Sequence, residues 1–295
     1  MSPLFGLPIK GLVPLGHVKS LVFGNSLISL PFFVYGGVIA SNQQAFEFIT
    51  QQATELATRL KVDQLELRNI KRQHESWPVK DQLYVRFRKE IDPDMDQNMK
   101  NIPRKQRRIV RKSIESGLQS VIDEEIDRFY ESYAYSLHGL GTPIFPKKQF
   151  ALIKEAFGED CDILTVTHEG RLVASVMNFY FKDEVLPYYA GATPEARSLK
   201  AHDFMYWELM RRSCEKGLKW FDYGRSKVGT GSYSFKKNWG FEPEPLNYEY
   251  FLVKANQMPD VNPNNPKYKL FVNTWKKLPY SISKVIGPMV IRGIG

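Results

Sequence analysis

Residues 185–241 read VLPYYAGATPEARSLKAHDFMYWELMRRSCEKGLKWFDYGRSKVGTGSYSFKKNWGF, and the rest of the chain is organised around them. The pattern predicts a strand at Val185–Gly191, a helix at His202–Lys216 that ends before Gly217, and a second strand at Lys219–Tyr223. The segment 221–226 then places an acid, a phenol and a guanidinium at the end of a buried strand. Because ligands of open α/β sheets bind beyond the carboxyl ends of strands, we place the active site here.

The composition of the 295-residue chain limits its class. It is 43% hydrophobic and 13% aromatic, which excludes a disordered chain and leaves room for two domains. The two cysteines, Cys161 and Cys214, form no metal-binding or disulfide pattern, so we predict a reducing compartment and no metal. We also expect no permanently bound cofactor. The formal net charge of +9 favours an anionic partner, with solubility as the alternative explanation.

The sequence predicts no transmembrane helix, because it contains no run of about 18 apolar residues. The N-terminal segment Leu4–Val18 is interrupted by prolines and a lysine, which is not typical of a signal peptide. We therefore expect a cytoplasmic protein, and peripheral contact with the inner face of the membrane stays open.

Elsewhere the pattern predicts alternating strands and helices, and therefore a mixed α/β fold. Asn42 is expected to cap a helix that runs to about Leu60, and a helix is expected from about Gln97 to Ser116, or from Arg104 if Pro103 starts it. The other predicted helices follow Asp123, lie between Pro146 and Gly158, and span Tyr233–Asn238 and Tyr268–Leu278. The other predicted strands are Gly11–Ser20, Leu27–Tyr35, Asp63–Arg68, Leu83–Arg88, Asp162–His168, Arg171–Phe181 and Leu246–Val253.

The two halves of the chain show a diverged repeat. Tyr35-Gly-Gly, a helix and Leu65-Glu-Leu-Arg match Tyr188-Tyr-Ala-Gly, a helix and Phe221-Asp-Tyr-Gly. The distance from Gly36 to Arg68 is 32 residues, as is that from Gly191 to Tyr223. A chance match is the alternative, but the spacing favours two tandem copies of one α/β unit.

The most basic stretch is Lys100–Lys112, which has seven cationic residues and no acid. On a helix Arg104, Arg108 and Arg111 share one face, while Val110, Ile114 and Leu118 share another. This stripe is either a site for phosphate or nucleic acid or a solvated helix face, and the sequence does not decide between them.

Three shorter segments each have two interpretations. Residues 188–192 either present backbone N–H groups to an anion or form a tight turn. Gly224–Ser232 is glycine-rich and is expected to be a loop that is mobile or close to a ligand. Phe235–Phe241 is aromatic and basic, as in an amphipathic turn or a ligand-facing helix.

The last two of these segments carry a resemblance to a known family. Phe221-Asp-Tyr-Gly-Arg-Ser followed by Gly-x-Tyr-x-Phe-Lys-Lys-x-Trp-Gly (231–240) resembles FemAB-type transferases of the GNAT N-acyltransferase superfamily. Further stretches resemble the FemAB-related subgroup associated with PEP-CTERM/exosortase systems. These are Pro14–Leu27, Val34-Tyr-Gly-Gly, Phe87-Arg-Lys-Glu-Ile, Ile102-Pro-Arg-Lys-Gln-Arg and Val261-Asn-Pro-x-Asn-Pro-Lys-Tyr.

The resemblance implies tandem GNAT-like domains, with a shortened N-terminal half at 1–95, a C-terminal domain at 96–258 and an extension at 259–295. It implies transfer of an acyl or aminoacyl group from acyl-CoA or aminoacyl-tRNA to an amine of an envelope or exopolysaccharide precursor, with no DNA involved. The alternative is a non-catalytic module that binds an anionic glycan or a lipid-linked sugar on the same scaffold.

Site residues follow from the motif and the resemblance together. Lys236 is expected to stabilise negative charge, Asp222 to accept a proton or hold Arg225, and Arg225 to bind a carboxylate or phosphate. The expected catalytic residues are Lys236, Asp222 and Tyr223. The expected substrate-binding residues are Lys19, Arg68, Tyr189, Arg225, Ser226 and Tyr233, and the expected donor-binding residues are Ala190, Gly191, Asp203, Arg104 and Arg108.

Overall fold

The computed structural model describes residues 8–20, 24–259 and 266–291. In chain order its elements are β1 Gly11–Leu12, β2 Leu15–Ser20, β3 Gly24–Ser29, β4 Ile39–Ala40, α1 Gln43–Arg59, β5 Gln64–Asn69, β6 Val79–Lys80, β7 Tyr84–Glu90, α2 Met95–Asn101, α3 Arg104–Ile114, β8 Leu118–Ile122, α4 Asp127–Leu140, α5 Lys147–Phe157, β9 Cys161–His168, β10 Arg171–Phe181, β11 Glu184–Ala192, α6 Ala196–Leu199, α7 Ala201–Glu215, β12 Trp220–Lys227, α8 Gly231–Asn238, β13 Pro243–Pro245, β14 Asn247–Leu252, α9 Pro266–Lys277 and α10 Tyr280–Val290. The predicted mixed α/β class is confirmed.

The chain divides into two units, of which unit 1 comprises Met1–Tyr84, Pro245–Val261 and Arg292–Gly295. Its sheet has the strand order β2-β3-β5-β14-β6, in which β3 and β5 are parallel. Helix α1 starts as predicted, because the Asn42 side chain accepts a hydrogen bond from the Ala45 amide at 2.9 Å. The small residues Ala53 and Ala57 of α1 and the leucines of β5 form the apolar core of the unit.

Unit 2 comprises Val85–Glu244 and Asn262–Ile291. Its sheet has the order β13-β7-β12-β11-β10-β9-β8. The pairs β8–β9, β9–β10 and β10–β11 are antiparallel, and the pair β11–β12 is parallel. Helix α7 buries Phe204, Trp207 and Met210 at helical spacing and ends two residues before Gly217, whose φ of +76° suits glycine. Both units therefore contain a strand–helix–strand segment with parallel strands, as the repeat predicts.

Two strands lie in a different unit from the one to which the predicted ranges assign them. Strand β14 lies between the two chain segments of unit 2, yet it pairs antiparallel with β5 of unit 1, with Tyr248 opposite Arg68 and Glu249 opposite Leu67. Strand β7, which the range 1–95 included, lies in the sheet of unit 2 beside β12. A strand pattern gives the existence of a strand but not its partner, because pairing depends on side chains far away in the sequence.

Several local expectations differ from the structure. Pro103 divides the helix expected at 97–116 into α2 and α3, and α3 buries Gln106, Val110 and Ser113 while Ile114 is exposed. Residues 188–192 belong to a strand and form no turn. The expected loop 224–232 is mostly ordered, because β12 continues to Lys227 and α8 starts at Gly231. Strand β8 and helix α10 are additions to the predicted elements.

None of the helices in the described part of the chain is both long and apolar enough to cross a membrane.

Candidate active site

Strands β11 and β12 separate at their carboxyl ends. Their recorded pairing consists of Glu184 with Trp220 and Val185 with Phe221. The strands themselves continue for seven and six residues further, to Ala192 and Lys227. The parallel pairing of the two strands therefore covers only their first residues. This is the sheet edge at which the sequence places the active site.

The end of β11 is held by helix α4. A Cβ atom on Gly191 would lie 2.2 Å from the Tyr133 amide nitrogen, so only glycine permits this approach. The Ser136 hydroxyl accepts a hydrogen bond from the Ala192 amide at 2.7 Å and donates one to the Ala192 carbonyl at 3.1 Å. Gly191 therefore has a packing role, and Ala190 precedes it in the same strand.

The end of β12 is held by Lys236 of α8. Its Nζ donates hydrogen bonds to the carbonyl oxygens of Tyr223 at 2.7 Å and Arg225 at 3.1 Å, and it lies 3.4 Å from that of Gly224. These carbonyls converge because Gly224 has a φ of +65°, a conformation that other residues rarely adopt. The Gly224 amide in turn donates to the Asp222 carboxylate at 2.6 Å.

The structure thus brings together the three charged residues expected at the site, Asp222, Arg225 and Lys236. Burial lowers the pKa of Lys236 to about 8, with Asp222 opposing this shift and Arg225 adding to it. Asp222 is fully buried. Lys237, the neighbouring residue, is exposed.

Tyr223 lies deeper than expected. Its ring packs edge-on against Tyr206 at 4.9 Å and Phe241 at 4.6 Å within the core of unit 2. Burial, together with Tyr206 and Asp203, raises the pKa of Tyr223 well above its usual value, so it remains a neutral phenol. Its hydroxyl is buried and has no hydrogen-bond partner among the described residues.

Asp203 also points inward. Its carboxylate accepts hydrogen bonds from the side chains of Gln106 on α3 and Trp239 just after α8. Burial raises the pKa of Asp203 to about 6 despite these donors. Asp203 thus fixes the first turn of α7 against α3, a positioning role that differs from direct contact with a donor.

Two buried hydroxyl groups without a partner among the described residues lie at the ends of the separating strands. They are Thr193 Oγ1, directly after β11, and Ser226 Oγ, near the end of β12. Buried polar atoms are normally hydrogen-bonded, so these two hydroxyls are candidates for contact with a polar ligand. The sequence prediction includes Ser226 but not Thr193, although Thr193 follows the predicted strand by two residues and could have been found from that position.

The remaining predicted residues of unit 2 are partly packed. Tyr189 lies in an aromatic cluster, with its ring 5.1 Å from Phe150 and 6.0 Å from Tyr133, and burial raises its pKa to about 12. Tyr233 is half-buried on α8 and contacts the Phe87 ring at 5.4 Å.

Lys19 and Arg68 belong to unit 1. Lys19 is exposed on β2, the edge strand of that sheet. Arg68 is buried, forms a 2.7 Å ion pair with Glu66, and lies 5.6 Å from the centre of the Tyr248 ring. These contacts give Arg68 a role inside the fold of unit 1.

The basic stripe on α3 is exposed. Arg104, Arg108 and Arg111 form no ion pair within the described residues. Arg107 instead turns back and donates to the carbonyls of Lys100 and Ile102, which stabilises the break between α2 and α3. The N-terminus of α7 follows Lys200, which has a φ of +57°, and no side chain caps it.

A cavity of about 600 Å³ lies at the other end of α7, lined in part by Asp162, Arg212 and Lys216. It contains none of the predicted site residues. The described residues also contain no cluster of three or more His, Cys, Asp or Glu side chains suited to a metal.

Comparisons with known proteins agree with this fold. Residues 97–237 match the family model described as "Acetyltransferase (GNAT) domain", which supports an N-acyltransferase type of function for this part of the chain. No relative is found among curated proteins.

Among solved structures, that of FemX has a TM-score of 0.62 at 14% identity and covers 91% of this chain and 88% of its own. A C-terminal DUF2156 domain from Agrobacterium fabrum has a TM-score of 0.58 at 13% identity, with 82% and 81% covered. A conserved protein of unknown function from Bacteroides thetaiotaomicron VPI-5482 has a TM-score of 0.54 at 12% identity, with 77% and 79% covered. At these identities the likeness shows the fold alone, and the predicted GNAT-like fold is confirmed.

Proposed function

We propose that the protein transfers an acyl group from a CoA thioester to an amine. The observation that carries this proposal is the separation of β11 and β12 after Val185 and Phe221, inside the region that matches the GNAT domain. An extended arm with amide groups, such as the pantetheine of CoA, can lie between the diverging strand ends and form hydrogen bonds with their main-chain amides and carbonyls. Thr193 Oγ1 and Ser226 Oγ offer further partners.

Positive charge near α7 supports a phosphate-bearing donor. The first amides of α7 have no side-chain cap, and helix N-termini bind phosphate well. Helix α3 packs against this turn through Gln106 and Asp203, so its exposed cations Arg104 and Arg108 lie on a neighbouring element. We therefore retain these two arginines as donor-binding residues, with Asp203 positioning the helix that carries the N-terminus.

The chemistry requires no covalent enzyme intermediate. The lone pair of the acceptor amine forms the new C–N bond, and the carbonyl oxygen becomes an oxyanion. Its collapse breaks the bond to the CoA sulfur, and the sulfur takes up a proton that the amine releases. Below pH 8 the Lys236 ammonium supplies positive charge at the end of β12, where it also fixes the strand carbonyls.

The acceptor is proposed to bind near Arg225 and Asp222. A guanidinium can hold a carboxylate or phosphate of the acceptor through two parallel hydrogen bonds. We propose an amine-bearing precursor of the cell envelope or of an exopolysaccharide, as the FemAB resemblance implies, and with it the association with PEP-CTERM systems. A lipid-linked precursor of this kind would be met at the inner face of the membrane.

The donor can be tested by thermal stabilisation. A ligand at 100 times its dissociation constant stabilises the native protein by about 2.7 kcal/mol, which shifts the midpoint by several degrees. Acetyl-CoA should raise the midpoint, and inorganic pyrophosphate at equal ionic strength should raise it less. Stabilisation by aminoacyl-tRNA alone would indicate that aminoacyl-tRNA is the donor in place of acyl-CoA. Stabilisation by an anionic glycan alone would favour the non-catalytic module.

A further inference from the structure

Helix α10 exposes an aliphatic face to solvent. It buries Ser283 and Gly287, whereas Ile282, Val285 and Met289 are exposed, the last two at 71% each. The exposed residues are spaced three and four apart and therefore share one face of the helix. A helix that only covers a protein core would place its aliphatic residues inward. In α10, Ile286 and Val290 are half-buried, and Ile282, Val285 and Met289 form a second aliphatic face that is turned outward.

The exposed aliphatic face is a fixed feature of unit 2, because α9 and α10 pack on α4 and the segment after it. A Cβ atom on Gly287 would lie 2.9 Å from an Ile144 side-chain atom, so the glycine allows α10 to pack closely. The His138 ring lies 2.8 Å from the Leu278 carbonyl oxygen, between α9 and α10. Trp275 of α9 is buried, while Leu270 of the same helix is exposed. The exposed aliphatic face therefore does not arise from a frayed helix end.

The charged side chains of α9 and α10 are all positive. Residues 266–291 contain five lysines and no acidic residue. Lys276 and Lys277 are exposed at the end of α9, and Lys284 lies on α10 between Ile282 and Val285. Amphipathic helices that lie in a membrane interface combine an aliphatic face with lysines in this way.

We propose that α9 and α10 form a docking surface for a membrane that contains anionic lipids. Ile282, Val285, Met289 and Leu270 would enter the boundary between headgroups and acyl chains, while Lys276 and Lys277 would meet lipid phosphates. Each lysine near an anionic surface strengthens binding by about five-fold at low salt. A second copy of this chain fits the surface less well, because a two-fold symmetric contact would bring the lysines of the two copies together.

This inference is independent of the donor and of the acyl transfer, since it rests on α9 and α10 alone. Lipid binding is read without substrate, so its failure and the failure of the proposed function can be told apart.

The test is sedimentation with vesicles of phosphatidylcholine, with and without phosphatidylglycerol. The protein should bind only the vesicles that contain phosphatidylglycerol, and increasing salt should weaken the binding. Val285→Ser with Met289→Ser should reduce the affinity at least ten-fold, and Lys276→Gln with Lys277→Gln should reduce it by a similar factor. Leu152→Ser changes an aliphatic residue of α5 that is 52% exposed, and serves as the matched control that leaves binding unchanged.

Two results would overturn the proposal. One is absence of binding by the wild-type protein to vesicles with phosphatidylglycerol, or equal binding by the aliphatic variant. The other is a dimer in solution that the same variant converts to a monomer, which would assign the surface to self-association. All five substituted positions are exposed, so each variant should keep the wild-type melting curve, which confirms that the fold is intact.

Discussion

Lys236 has two proposed roles, one in catalysis and one in holding the end of β12, and its neighbour Lys237 has neither. Lys236→Met removes the ammonium and leaves the carbonyls of Tyr223 and Arg225 without their donor. We expect turnover to fall by about 10²–10³-fold, as for the loss of one group that stabilises an oxyanion. The midpoint of unfolding should also fall, because buried carbonyls lose a hydrogen bond. Single-turnover rates and melting curves measure both effects.

Lys237→Met is the matched control, since Lys237 is exposed on the same helix. It should change neither quantity appreciably. If both variants lose only a little activity, Lys236 holds the strand end and has no catalytic role.

The pKa of Lys236 predicts opposite pH trends for activity and stability. Burial, with Arg225 adding to it, lowers this pKa from 10.5 to about 8, so the fold favours the neutral amine. Between pH 8 and 10.5 the unfolded chain binds more protons at this group, and its contribution to stability therefore rises with pH. Activity that needs the ammonium should fall over the same range. A rate that rises through pH 8 would instead make Lys236 a proton acceptor.

Thr193 and Ser226 give a prediction in which stability and binding change in opposite directions. Thr193→Val and Ser226→Ala remove buried hydroxyls that have no partner among the described residues. Removing an unsatisfied buried group should stabilise the free protein, by about 1 kcal/mol or more each. If the hydroxyls bind the donor, the additional stabilisation by acetyl-CoA should shrink. Calorimetry with and without acetyl-CoA tests this, and an undiminished response would remove these residues from the site.

At the scale of single elements, substitutions on helix α3 test whether its exposed arginines bind the donor. Arg104→Glu with Arg108→Glu should weaken binding of acetyl-CoA, and added salt should reduce the difference from wild type. Lys105→Glu with Lys112→Glu makes the same change of net charge on a face about 70° away, and should have a smaller effect. Titration calorimetry at two salt concentrations measures both pairs. Equal losses in both pairs would indicate a general effect of net charge, and no loss in either would leave a solvated face.

The elements that the sequence predicts well are those whose pattern is local. Helix α7 shows apolar residues at helical spacing and a terminal glycine, and its predicted range differs from the observed one by a single residue at each end. Helix α10 is missed because its aliphatic residues lie on more than one face and because Gly287 and Pro288 stand near its end. Tyr223 is placed at the site by its motif, but its burial depends on Tyr206 and Phe241 from other elements. Local patterns therefore locate the site along the chain, but they do not predict how deeply each side chain is buried.

At the scale of the whole molecule, unit 1 depends on a strand from the far end of the chain. Glu249 of β14 is fully buried and accepts hydrogen bonds from Asn69 at 2.6 Å and from the amides of Gln73 and His74. Burial alone would raise the pKa of Glu249, but the bonds from His74 and Gln73 hold it below its usual range. The sequence could not predict this group, because its members lie some 175 residues apart and none belongs to a motif.

Because β14 completes the sheet of unit 1, we expect unit 1 to fold without unit 2 when β14 is joined to residues 1–84. The Leu246 amide donates to the Tyr84 carbonyl at 2.9 Å, so a short glycine-containing turn can replace residues 85–244. Residues 1–84 joined in this way to 245–259 should fold cooperatively, because β14 fills the sheet between β5 and β6. Residues 1–84 without that strand should stay unfolded. Trp77 is the single tryptophan of this fusion and packs 4.1 Å from the His74 ring and 5.4 Å from that of Phe251, so its fluorescence reports the result. If both chains are unfolded, unit 1 is not an independent folding unit, and if both are folded, β14 is dispensable.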